Sequence, residues 1–194
     1  MRGMKRYLFA AVLLVGMSAA GVASANHSWG GYHWARTTSS FTLKLGNNLV
    51  SSWGSYLATI STAWSVSTVL DTVVVVGNGS GSRCRATAGM VQVCDGSYGN
   101  NGWLGLAQIW ISGLHITQGI VKLNDTYFNK PFYNNPNEKL HVICQEVGHT
   151  FGLDHQSTDG TSLNTCMDYF SNTGSNAAST ASTLPNQHDY DELS

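Results

Sequence analysis

Charge is scarce in this sequence. Only 11% of its 194 residues are Asp, Glu, Lys or Arg, and the formal net charge is −1. No basic excess exists to hold a nucleic acid, so that class of partner is excluded. The uninterrupted apolar core near the N-terminus, Tyr7 to Met17, falls short of the ~20 residues a membrane helix needs. No C-x-x-C pair occurs among the four cysteines, which argues against a cysteine zinc knot. No segment is repeated.

What is present starts with "MRGMKRYLFAAVLLVGMSAAGVASANHS". Arg2, Lys5 and Arg6 precede the apolar core, and Ala23-Ser24-Ala25 follows it, in the order of a secretory signal. Residues 1–25 are expected to be removed, leaving one domain over 26–194. The protein is expected in an extracellular or periplasmic space with no stable membrane anchor. Losing those three cations takes the formal charge from −1 to −4. Export makes the even count of Cys84, Cys94, Cys144 and Cys166 readable as two disulfides. Three pairings are open, and a short local loop favours Cys84 with Cys94.

Hydrophobic periodicity outlines a mixed α/β (α+β) domain. "SFTLKLGNN" alternates Phe41, Leu43 and Leu45 with polar residues and reads as a strand. Leu49, Val50, Trp53, Tyr56, Leu57, Ile60, Ala63 and Trp64 recur at helical spacing, predicting a helix over 50–66 with Asn48 as its cap. "TVVVV", Thr72 to Val76, reads as a buried strand, and strand–helix–strand order implies parallel pairing. "CRATAGMVQVC" is expected to form a disulfide-closed hairpin. Strands are predicted over 104–113 and 119–125. In "NNPNEKLHVICQEVGHTFG", Asn135 is a cap, Pro136 fits the first helical position and Glu138 completes a capping box. Leu140, Ile143, Val147 and Phe151 form one stripe, and Gly152 stops the helix. Residues 171–183 read as a surface loop, before a short last helix in "PNQHDYDELS".

The chemistry concentrates in "QEVGHTFGLDH". Gln145 and His149 are four apart on one helix face, and Glu146 lies beside them. Gly152 lets the backbone turn so that His155 can return toward the same point. This is the spacing logic of H-E-x-x-H-x-x-G-x-x-H, in which a metal keeps three protein ligands and an open position for water. Here glutamine stands at the first position and offers a neutral amide oxygen, a weaker zinc donor than imidazole. His141, ~12 Å along the axis from His149, reads as a surface residue. His115 is a reserve ligand near the cleft, while His27 and His33 are not expected to bind metal. Asn78-Gly-Ser and Asn124-Asp-Thr match the glycosylation pattern.

Glu146, His149, Gly152 and His155, with "CMDY" eleven residues beyond His155, resemble the motif and Met-turn of metzincin zinc peptidases. The Met-x-Tyr order of Met167 and Tyr169 is similar to astacins and serralysins. "LGLAQIW" and "GIVKLND" resemble the matrixin strand pair before the zinc helix, and "QHDYDEL" resembles the matrixin final helix. The resemblance spans most of the mature chain in element order and is specific over 145–169. It implies a twisted mixed sheet with a backing helix, a zinc helix, a Met-turn and a short C-terminal helix. It implies Zn²⁺ on Gln145, His149 and His155, Glu146 as general base and Tyr169 at the metal or transition state. It further implies a peptide or protein substrate along Gly105, Leu106 and Ala107, and a monomer. Because the Met-turn of that fold runs beneath the zinc helix, Cys144 is expected to pair with Cys166. The function implied is a secreted zinc endopeptidase. The alternatives are an inactive domain that binds peptide or metal on the same groove, and a metal-free structural or adhesive domain.

Overall fold

The computed structural model describes residues 27–194, so the signal segment and its cleavage point lie outside the described residues. Six strands form one sheet: β1 (His33–Trp34), β2 (Phe41–Asn47), β3 (Leu70–Val76), β4 (Met90–Gly96), β5 (Gly105–Ser112) and β6 (His115–Asn124). The order is β1-β6-β4-β2-β3, all parallel pairings, with β5 antiparallel to β6. Four helices accompany the sheet: α1 (Tyr56–Trp64), α2 (Asp125–Phe128), α3 (Pro136–His149) and α4 (Gln187–Glu192). The domain is thus a mixed α/β fold with a mostly parallel sheet. No helix among the described residues is long and apolar enough to cross a membrane.

The core lies between the sheet and the pair α1/α3. Leu45, Val91, Val93, Val121 and Leu123 from the sheet meet Ile60 and Trp64 of α1 and Ile143 and Val147 of α3, all at 0% exposure. Trp64 Nε1 donates to the Cys144 carbonyl at 3.3 Å, so even this apolar seam satisfies its indole. A Cβ on Gly148 would lie 2.7 Å from the Trp64 ring. This glycine lets α3 settle onto α1 without a gap.

Four expectations need correction. The helix over 50–66 is divided: residues 51–53 form a 3-10 turn, Gly54 takes a positive φ of 34°, and α1 starts only at Tyr56, preceded by Ser55. Asn48 caps nothing; its amide is spent inside the sheet, donating to the Gln92 side chain at 2.8 Å and to the Gly46 carbonyl. The valine run is an edge strand, not a buried one, with Val76 at 93% exposure. The expected hairpin is instead β4, a central strand between β2 and β6. Its disulfide, Cys84–Cys94, ties the preceding loop to that strand.

α3 follows its sequence signals closely. Asn135 accepts from the Glu138 N–H at 2.9 Å, and Pro136 opens the helix. The Glu138 side chain departs from a capping box, however. It turns away from the cap to accept from Ser171 Oγ and the Asn172 N–H, joining the first helical turn to the chain beyond Met167. α4 carries the full reciprocal box, between Asn186 and Asp189.

Candidate functional site

A cleft of about 690 Å³ runs between β5 and α3. Leu104, Gly105, Leu106 and Ala107 form one wall, and Gln145, Glu146 and His149 form the other. His155 and Tyr169 close one end, and Trp29 reaches in beside them. β5 is hydrogen-bonded only to β6, so its outer edge faces the cleft unpaired.

The two histidines are held by opposite ends of the same turn. α3 ends at His149, Thr150 follows, and Gly152 takes φ 101°. A side chain at 152 would also collide with the Tyr32 carbonyl oxygen, because the N-terminal segment crosses there. That segment is stitched to the turn. The Trp29 N–H donates to the Gly152 carbonyl at 2.7 Å, the Asp154 N–H donates to the His27 carbonyl, and Trp34 Nε1 donates to the Thr150 carbonyl at 2.8 Å.

His149 Nδ1 lies 2.8 Å from the Leu153 carbonyl, which can only accept, so this nitrogen carries the proton. His155 Nδ1 faces Asp154 Oδ1 at 3.2 Å and carries its proton for the same reason. Both Nε2 atoms are left as bare acceptors, and they face one another at 3.0 Å. Burial, then the neighbouring His155, hold His149 down at about 4. Burial also lowers His155. Two neutral imidazoles with converging lone pairs and carbonyl- or carboxylate-fixed tautomers are the donor chemistry of a transition-metal site. Zinc bonds of ~2.0–2.1 Å in a tetrahedron place two nitrogens ~3.3 Å apart, so the observed pair fits such an ion with little movement.

Gln145 lines the same cleft from one turn earlier. Its Nε2 donates to the carbonyls of Cys166 at 3.0 Å and Asp168 at 2.8 Å, the two residues flanking Met167. With the nitrogen fixed by two acceptors, Oε1 is the atom left to meet a ligand. Among the described residues, no group of three or more His, Cys, Asp and Glu side chains converges as a metal site. Gln145 lies outside those residue types, and its amide oxygen is a neutral donor in the same cleft. Beneath the site, Met167 is fully buried, and a Cβ on Gly148 would crowd its sulfur. Cys144 and Cys166 are joined across 5.9 Å between Cα atoms, locking α3 to this turn.

Glu146 is 8% exposed, and burial pushes its carboxyl up to about 8, offset only by the Ala107 N–H. A carboxyl in that range is suited to exchanging protons near neutral pH. Tyr169 is half-exposed and sets its ring edge-on to His155, with centroids 4.4 Å apart.

Several other residues sit elsewhere than expected. His141 is not on the surface: it is 4% exposed, between Asn172 Oδ1 at 3.2 Å and the Asp168 carbonyl at 3.1 Å. Both partners are distant in sequence, so helix position alone gave no sign of its burial. His115 is turned away from this cleft; it pairs with His33 across β6 and β1 and lines a separate hollow. His27 binds the Asp154 carbonyl through Nδ1 and stacks on His188. Asn124 is fully buried and holds residues 98–103 by four hydrogen bonds, and Asn78 Nδ2 is bound to the Arg85 carbonyl and Thr87. Neither asparagine presents a free amide to a glycan. Trp29, whose ring meets His149 edge-on, belongs to the site and carried no sequence signal.

The chain matches no model of a known protein family and no curated protein.

Proposed function

We propose that this protein is a secreted, zinc-dependent endopeptidase of the metzincin type. The observation that carries the reading is the His149–His155 pair, Nε2 facing Nε2 at 3.0 Å with both Nδ1 atoms locked, in one cleft with Gln145 and Glu146. Gln145 Oε1, His149 Nε2 and His155 Nε2 would hold the ion. Zinc there supplies Lewis acidity toward the scissile carbonyl and toward water. The open edge of β5 binds the substrate backbone in extended form, as an added strand. Glu146 takes a proton from the attacking water and passes it to the departing amine as the C–N bond breaks. Tyr169, at the end of the cleft beside His155, is available to donate to the oxyanion.

A second reading, an inactive domain that binds peptide or metal, is favoured by one observation. The Gln145 amide is already engaged twice by the Met-turn, and an amide oxygen is a weak zinc donor. Zinc titration of the parent, Gln145→Ala and Gln145→His, with turnover of one peptide library, decides between them. The endopeptidase reading expects chelator-sensitive cleavage by the parent and roughly tenfold weaker zinc binding in Gln145→Ala, the scale on which site residues tune metal affinity. A parent that binds zinc stoichiometrically and cleaves nothing, while Gln145→His cleaves, overturns it in favour of the inactive domain.

A further inference from the structure

The two walls of the cleft touch at one point, and a glycine makes that contact possible. A Cβ built on Gly105 would lie 2.7 Å from Glu146 Oε1 and 2.8 Å from its Cδ, well inside van der Waals distance. Glu146 is almost fully buried yet lines the cleft, so a carboxylate pushed away from position 105 moves toward the cleft. Gly105 adopts no positive φ, and its place at the start of the edge strand β5 gives backbone conformation no reason to require glycine there. What requires glycine is the close approach of a side chain. Two residues on, Ala107 lines the same cleft, and its N–H is the one backbone group that acts on that carboxylate.

We propose that Gly105 is a positioning residue: it forms a notch in the edge strand that seats the Glu146 carboxylate against the Ala107 N–H. The notch fixes the carboxylate on the strand along which a peptide would lie, between the scissile bond and the histidine pair. A methyl group at 105 pushes the carboxylate off this seat while leaving Gln145, His149 and His155 untouched. The kinetic part of this inference rests on the endopeptidase reading; the seating of Glu146 does not.

Gly105→Ala, Glu146→Ala and the double variant test it. In metal-free protein, Gly105→Ala is expected to lower Tm by roughly 4 °C or more, the scale of an overpacked contact in a domain of this size. The same change made in the Glu146→Ala background is expected to have almost no effect, because its collision partner is gone. Exchange of the Ala107 amide is expected to accelerate at least tenfold in both single variants. With zinc and peptide, kcat is expected to fall ~10²-fold from misplacement alone, with KM and zinc affinity changed by less than about threefold. Equal Tm losses in the two backgrounds, or Ala107 exchange in Gly105→Ala at the parent rate, overturn the notch. If Gly105→Ala does not fold, recovery of folding in the double variant supports the notch, and failure of both overturns it. If the parent cleaves no peptide, the endopeptidase reading falls, and the Tm cycle and amide exchange still decide the role of Gly105.

Discussion

The sheet and the cleft wall over residues 136–172 are built on opposite principles. In the sheet, most buried positions are aliphatic, among them Leu43, Leu45, Val91, Val93, Val121 and Leu123, and Thr72, Gln92, Asp95 and Asn124 are polar exceptions. In the cleft wall, Glu138, His141, Glu146, His149, Asp168 and Asn172 are all under 9% exposed. Each Å² of apolar burial in the sheet contributes to stability directly. Each buried polar group in the wall costs desolvation and breaks even only through its partners. Asp168 accepts from the N–H groups of Leu163 and Phe170 and from Ser182, and its carbonyl accepts from Gln145 and His141. The wall is therefore an interlocked set rather than a sum of contacts, and its value lies in aiming side chains.

If that contrast holds, changes in the wall uncouple activity from stability, and changes in the sheet's aliphatic core, away from the β5 edge, do not touch the chemistry. The largest effect is expected from Glu146→Gln. Peptide turnover falls ~10²–10⁴-fold, while the metal-free protein becomes more stable above neutral pH. The folded-state carboxyl stands at about 8 against 4.5 for the unfolded chain. Its contribution is thus fully present below about 4.5 and is lost as pH rises through about 8. Denaturant midpoints of chelated protein at pH 5 and pH 9 should converge in the variant and diverge in the parent. A variant less stable than the parent at pH 9 breaks the contrast.

Leu45→Ala in β2 is expected to cost roughly 2–5 kcal/mol, read from urea unfolding, with kcat of the remaining folded protein unchanged. Replacing Cys144 and Cys166 together by Ala, which releases a 22-residue loop, is expected to cost about 3 kcal/mol. Unlike the sheet variant, it should also weaken zinc binding, because the disulfide ties α3 to the turn that Gln145 grips. Equal zinc affinity would place that bond with the sheet in its role. The smallest effect is expected from Asp95→Asn at the end of β4. Burial raises the Asp95 carboxyl to about 6 from 3.8. Asparagine should add roughly 1–3 kcal/mol at pH 7.5 and almost nothing at about pH 2.5, where both folded and unfolded carboxyls are protonated. Thermal scans at the two pH values check the sign.

The same division governs what was legible in the sequence. Signals read within one element survived: the alternation of β2, the Asn135 cap and Pro136 of α3, and the two strands before it. Gln145, Glu146, His149 and His155 were found because helical spacing and one turn bring them into a single cleft. Most of the readings that failed depended on distant partners; the capping box at Glu138 and the start of the first helix are the local exceptions. β4 looked like half of a hairpin because Cys84 and Cys94 are close in sequence, yet its neighbours β2 and β6 come from either side of it. The first helix began late because Gly54 and Ser55 interrupt an otherwise continuous apolar period. His141 needs acceptors 27 and 31 residues away, and Trp29 comes to His149 from the far end of the domain.

That last connection sets an order of assembly. Residues 27–34 leave the ribosome before any part of α3 exists, and their partners at Thr150, Gly152 and Asp154 follow more than a hundred residues later. Contacts of such sequence separation close late and slowly, after the local helices and the sheet have formed. The turn carrying His155 is then among the last pieces to become rigid, and a chain without residues 27–34 lacks the brace that fixes it. The mutual placement of His149 and His155 is in this way a property of the finished molecule, resting on residues 27–34 as much as on the turn itself.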